Sequence, residues 1–188
     1  MNPLKALIRN RLDAFEREHD YDMGYAREIL DISTAALLKF NRVMGMAQYH
    51  EDVPLAAWYA AKLVGTLAED CGPCTQLVAG MAEREGVAPA TIRAILRGQE
   101  AAMPADAALG WRFARAALAH DPEADVLRAE VVQRWGRRAL VSLAYALTTA
   151  RMFPTLKYAM GHGHACVWVR VGGEELPALP AAMAGDGE

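Results

Sequence analysis

The sequence predicts an all-α protein, a multi-helix bundle of about eight helices. Three observations carry that expectation. Apolar residues recur at spacings of three and four along nearly the whole chain, which sets them on one face of a helix. No stretch of useful length alternates apolar and polar residues as a half-buried strand does. Pro and Gly residues punctuate the periodic segments at positions where helices start and stop. The 188-residue chain is 53% hydrophobic, enough for a core built without metal or disulfide staples.

Taken in order, Asn2-Pro3 is a cap and first position for a helix through about Glu18, with Leu4, Leu7, Ile8, Leu12 and Phe15 on one face. A second helix is expected from about Met23 to Gln48, where Ile29, Ile32, Ala36, Leu37, Phe40, Val43 and Met44 keep the helical period. Asp52-Val53-Pro54 signals a third start. The helix it opens, Leu55 to Glu69, is apolar on nearly all sides and is expected to be buried. Thr75 to Glu85 continues as helix and stops at Gly86. Pro89 opens a short helix ending near Gly98, and Pro104 with Asp106 opens another to about His120. Asp121-Pro122 starts a helix to Trp135-Gly136, and Arg137 to about Met152 forms the last, with Pro154 ending it or allowing one further turn. Val167–Val171 is the one β-prone run. The chain is thus expected to hold a single domain over residues 1–170 and a flexible C-terminal tail over 171–188.

Charge excludes some functions. Lys and Arg (20) nearly balance Asp and Glu (23), for a net charge of −3, which offers no basic face for nucleic acid. The tight cluster Arg134, Arg137 and Arg138 reads as a solvated helix end rather than a phosphate site. The apolar stretches Val53–Ala61 and Ala139–Ala150 are bounded by charges and too short for a membrane span, which needs about 20 residues. No secretory signal is recognisable at Met1-Asn2-Pro3-Leu4-Lys5, so a cytoplasmic protein is expected. Three cysteines do not make an extracellular disulfide framework.

The chemistry points to Cys71-Gly72-Pro73-Cys74. Pro73 fits the first turn of a helix, where its missing N–H costs nothing. That places Cys71 at or near the N-cap, with unpaired backbone N–H groups and the positive end of the helix dipole at its sulfur. Such a setting lowers a thiol pKa from about 8.5 into the range of roughly 3.5–7.5. The second sulfur, one turn on, can reach the first. One thiolate can then attack a disulfide, and the other can resolve the mixed disulfide. Glu69 and Gln76 flank the pair as candidate proton carrier and hydrogen-bond donor, although adjacent carboxylates oppose thiolate formation. The plainer reading of the pair is two small buried apolar residues.

The tetrapeptide resembles that of thioredoxins, but there it follows a strand in a βαβ unit, and this chain supplies no parallel sheet. An Ala-rich helix feeding a C-x-x-C motif, with a second helix leaving it, resembles the alkylhydroperoxidase D/carboxymuconolactone decarboxylase family. The resemblance is clearest from Val53 to Glu100, and Phe153-Pro154-Thr155-Leu156-Lys157-Tyr158-Ala159-Met160-Gly161 is similar to a family-type ending. It implies an all-helical, alkylhydroperoxidase D-like (AhpD-like) fold and a homo-oligomer. It also implies a redox-active pair, Cys71 and Cys74, that serves as peroxidase or disulfide reductase on a small hydroperoxide or disulfide, with a thiol reductant. The decarboxylase branch lacks the pair. The redox branch also carries a relay: a Glu upstream of the first cysteine, a His just before the second and a His after it. Tyr59, Pro73 and Val78 hold those places here, which favours disulfide exchange over efficient peroxide reduction. The competing expectation is a helical oligomeric scaffold or small-ligand-binding protein that has lost the relay.

No cofactor and no metal are expected. His162, His164 and Cys166 could join the cysteine pair around zinc on paper, but their spacing is not that of a zinc finger, and histidines near a helix end complement its dipole. His162 or His164 approaching the pair as a substitute relay is a further alternative. His50 reads as a residue beside a helix start, and Trp58 and Tyr59 as core or subunit interface. Lys62 requires a partner or a route to solvent, and the nine Met residues fill gaps in the core.

Overall fold

The computed structural model describes residues 3–163 and 168–177, and these form the expected mostly helical bundle with one small two-stranded sheet. Helix α1 spans Pro3–His19. The helix expected over residues 23–48 is instead three: α2 (Gly24–Ile32), α3 (Thr34–Phe40) and α4 (Val43–Ala47). Ser33 causes the first break. It is extended (φ −156°, ψ 107°), and its Oγ accepts the Ala36 N–H, so it caps α3 instead of continuing α2.

Helix α5 (Leu55–Ala68) is the buried axis that its composition requires, with Ala57–Leu67 enclosed except at Lys62. Asp52 does not cap it. Pro54 precedes the first turn, and the Asp52 carboxylate accepts from Arg138 at 2.6 Å. Helices α6 (Gly72–Arg84), α7 (Pro89–Leu96), α8 (Ala105–Ala119) and α9 (Glu123–Ala159) follow. All four pack on α5, α8 and α9 most extensively. Two close crossings set the geometry. A Cβ on Gly110 of α8 would lie 2.5 Å from the Ala57 carbonyl oxygen, and one on Gly65 of α5 would lie 2.9 Å from Ala150 Cβ on α9. Gly110 and Gly65 therefore let the backbones approach.

The expected boundary at Gly136 appears as a break inside α9, where Gly136 is left-handed (φ 85°, ψ 175°) and helix resumes on either side. Pro154 allows the further turn, one of its two expected outcomes, and does not end the helix. The helix runs on to Ala159, because the turn that follows buries Lys157 and packs Leu156 and Met160 against the N-terminal helices. That packing outweighs one missing hydrogen bond.

Strands β1 (Trp168–Val171) and β2 (Glu174–Pro177) form an antiparallel hairpin pairing Val169 with Leu176. Val169, Val171 and Leu176 are buried in the main core. The expected boundary between residues 170 and 171 therefore cuts through a packed hairpin, and residues 171–177 belong to the folded unit; residues 178–188 lie outside the described residues.

Among the described residues, the core falls into two apolar clusters. The larger joins α5–α9 and the hairpin. The smaller lies where the N-terminal layer, α1–α3, covers one end of α6 and the end of α9. It contains Tyr21, Tyr25, Ala26, Ile29, Leu30, Leu37 and both Cys71 and Cys74. Leu4 and Leu7, expected on the inner face of α1, are exposed; Ile8, Leu12 and Phe15 make the contact. Arg27 of α2 pairs with Asp13 (2.9 Å) and Glu16 of α1, and Arg9 pairs with Asp31 (2.5 Å), tying the layer together.

Candidate functional site: a buried cysteine pair

The pair sits where its sequence places it. Asp70 takes the left-handed conformation (φ 50°) that ends α5 and turns the chain. Cys71 is the N-cap of α6 (φ −105°, ψ 88°), and Pro73 lies in the first turn. The Cys74 backbone N–H donates to Cys71 Sγ at 3.3 Å, and the Thr75 N–H and Oγ1 both donate to the Cys71 carbonyl oxygen, at 2.9 and 3.0 Å. Cys71 and Cys74 are joined as a disulfide, with their Cα atoms 5.3 Å apart. The first sulfur thus has the helix-end donor that the sequence predicts.

The surroundings are drier than expected. Cys71 is 2% exposed and Cys74 4%, so an attacking thiol cannot touch either sulfur while the N-terminal layer is in place. Two groups on the inner side of that contact have no counterpart in the sequence reading. The Tyr21 hydroxyl lies 3.6 Å from Cys74 Sγ. A disulfide sulfur carries no hydrogen, so the phenol is the donor. Lys157 of α9, 3% exposed, holds its Nζ 4.5 Å from the centre of the Tyr21 ring and 5.7 Å from that of Tyr25, both cation–π contacts. Burial raises the Tyr21 phenol pKa, with Tyr25 and Asp22 adding to it. Burial followed by Asp22 pushes Tyr25 up to about 12. Lys157 is lowered by burial, against the opposing pull of Asp22. Tyr21 therefore keeps its proton throughout the physiological range and acts as a donor, not a base.

Of the four predicted site residues, the structure unites Cys71 and Cys74 and engages the other two elsewhere. Glu69 accepts from Arg151 Nε (2.5 Å) and Thr155 Oγ1 (3.1 Å) on α9, which occupies both carboxylate oxygens. Gln76 is a docking residue. Its amide donates to the Arg170 carbonyl oxygen (3.1 Å) and accepts the Arg170 N–H (2.6 Å), continuing the ladder of β1 onto α6. Glu69 also lines an open groove of about 720 Å³ with Phe40, Leu118, Leu147, Arg151 and Leu156. Phe40 and Leu156 of that groove pack against the cysteine cluster.

The relay positions are filled by structural groups. Tyr59 is 1% exposed. Burial and then a hydrogen bond to Glu85 raise its phenol pKa. Val78 packs on the main core. Lys62 finds its partner in Trp58, with Nζ 3.4 Å from the indole centre, and burial lowers it to about 8 against the pull of Glu85. His50 is an exposed residue just ahead of α5, as expected, and it bonds the Val53 carbonyl oxygen (2.8 Å) and lies against Trp58. Arg134 and Arg138 are exposed and paired with Glu130 and Asp52. His162 bonds Glu28 at 2.5 Å; His164 and Cys166 lie outside the described residues. Among the described residues no group of three or more His, Cys, Asp or Glu is arranged to hold a metal, and no helix is long and apolar enough to cross a membrane.

Comparison with protein-family models, with curated proteins and with solved structures finds no match to this chain.

Proposed function

We propose that the chain is a cytoplasmic, homo-oligomeric thiol–disulfide oxidoreductase of alkylhydroperoxidase D-like type, working through Cys71 and Cys74. One observation carries the reading: two bonded cysteines at the start of a helix, the first accepting a backbone N–H at its sulfur. In such a pair, two electrons from a dithiol reduce the bond, and the resulting dithiol passes them to a disulfide substrate. Exchange is favoured over peroxide reduction because Tyr59, Pro73 and Val78 supply no carboxylate–imidazole relay. Thiol trapping with mass spectrometry across a glutathione redox series tests it. A reversible Cys71–Cys74 bond with a potential on the order of −200 to −280 mV, and loss of reductase activity in Cys71→Ser and Cys74→Ser, are expected. Undiminished activity in either variant refutes it.

A second reading, a helical scaffold or small-ligand-binding protein with a structural cross-link, draws on the burial of both sulfurs. It expects no turnover with disulfides or hydroperoxides, and little loss of function when either cysteine is replaced by Ala.

A further inference from the structure

The geometry points to Tyr21 as the hydrogen-bond donor to the Cys74 thiolate of the reduced pair when the N-terminal layer is closed, with Lys157 holding the phenol in position. This rests on the exchange reading for its place in a reaction, although the bond itself does not require turnover. The two sulfurs have separate donors: Cys71 has a backbone N–H supplied by its own helix, and Cys74 has the Tyr21 hydroxyl supplied by the α1–α2 connection. The phenol is held from two sides, by Phe15 edge-on at 6.4 Å between ring centres and by the Lys157 ammonium at 4.5 Å. A disulfide sulfur is a poor acceptor and a thiolate a strong one. A buried hydroxyl aimed at sulfur therefore stabilises the reduced form more than the oxidised one.

The exchange step assigns each electron pair. The thiolate of an external dithiol attacks Cys71 Sγ and forms the mixed disulfide. The Cys71–Cys74 bond breaks, and its electron pair leaves on Cys74 Sγ, which accepts the Tyr21 hydrogen bond once the α1–α3 layer closes over the reduced pair, or takes a proton from solvent. The second thiolate of the dithiol then attacks its own sulfur in the mixed disulfide and releases Cys71. The dithiol is oxidised to a disulfide, and the protein pair is reduced by two electrons. Tyr21 donates a hydrogen bond and keeps its proton. Lys157 acts through the ring, as a positioning residue.

The Tyr21 hydroxyl faces Cys74 directly, and around Tyr21 lie Asp22 before α2, Tyr25 on α2 and Lys157 on α9. The test isolates the first of them. In a Cys71→Ser/Cys166→Ser background, where Cys74 is the one remaining thiol, the ultraviolet absorbance of its thiolate is followed against pH with and without Tyr21→Phe. Loss of a charge-assisted hydrogen bond is expected to raise the Cys74 midpoint by about one to two pH units. Replacement of Tyr21 by 3-fluorotyrosine, a stronger donor of nearly the same shape, is expected to lower it. A packing role alone would lower thermal stability in Tyr21→Phe and leave the midpoint where it was; that result overturns the assignment. In the native pair, at a pH above both Cys74 midpoints, the same ten- to hundredfold change makes the potential of Tyr21→Phe about 30–60 mV more negative. No exchange with a dithiol by the wild-type protein would defeat the enzyme reading alone, because the thiolate titration does not depend on turnover.

Discussion

Burial of the disulfide makes its reactivity a question of which part of the molecule opens. Leu30 of α2 is 0% exposed and lies in the cluster that holds both cysteines, whereas Leu63 of α5 is 0% exposed in the larger core. Leu→Ala at either site leaves a cavity worth about 2–5 kcal/mol. The two costs fall on different units. Leu30→Ala weakens the seal of the α1–α3 layer over α6, while Leu63→Ala weakens the five-helix body and leaves that seal intact. If the layer lifts as a local unit, the reduction rate at low dithiol concentration follows its open population. Leu30→Ala then speeds reduction by a factor of about 30 to several thousand, at roughly 1.4 kcal/mol per decade. Leu63→Ala lowers the global stability comparably and leaves the reduction rate near the wild-type value. The assay is stopped-flow or quenched reduction with dithiothreitol under native conditions, with alkylation of released thiols and a parallel urea denaturation for each variant. Equal acceleration in both variants would mean that the sulfurs are reached only through global unfolding. No acceleration in Leu30→Ala would mean that they are reached without lifting the layer. Either result refutes the role assigned to α1–α3.

Gly110→Ala forces α8 off α5, because its Cβ would meet the Ala57 backbone at 2.5 Å, while Gly80→Ala on α6 meets no atom within 4 Å. The first is expected to cost about 1–3 kcal/mol and the second to stabilise by up to about 1 kcal/mol, read from denaturant midpoints. Gln76→Ala removes two hydrogen bonds to Arg170, worth about 0.5–1.5 kcal/mol each. Faster amide exchange confined to the β1–β2 hairpin is expected, with an unchanged rate of disulfide reduction. Lys62 has a folded pKa of about 8 against an ordinary 10.5. The unfolded chain therefore binds more protons across that interval, and stability rises with pH between those values. Tyr21, Tyr25 and Tyr59 are raised above their ordinary 10.0, so stability falls again as pH passes 10. Thermal melts across that range should show the rise flattened in Lys62→Met and the fall retained.

What could be read in advance was local. Pro73 and the two flanking cysteines announce a helix start within a single turn, and the N-cap geometry of Cys71 follows from them. The apolar character of residues 55–69 likewise required a buried helix, and α5 is one. Ser33 failed the periodicity because the apolar stripe continues across it, so the pattern hid a break that its capping side chain makes. Gln76 failed for a geometric reason. Residues two apart on a helix face different sides, so its closeness to Cys74 in sequence aimed it at the hairpin, not the sulfur. Tyr21 and Lys157 carried no spacing signal at all, since each comes from a distant element, and Tyr21 meets Cys74 and Lys157 the Tyr21 ring only once the N-terminal layer folds down. A search for a relay by position, which finds Tyr59, Pro73 and Val78, therefore examines the wrong elements. The donor at Cys74 reaches the sulfur from outside the segment that contains the motif, so losing a positional relay and lacking a donor are different conditions.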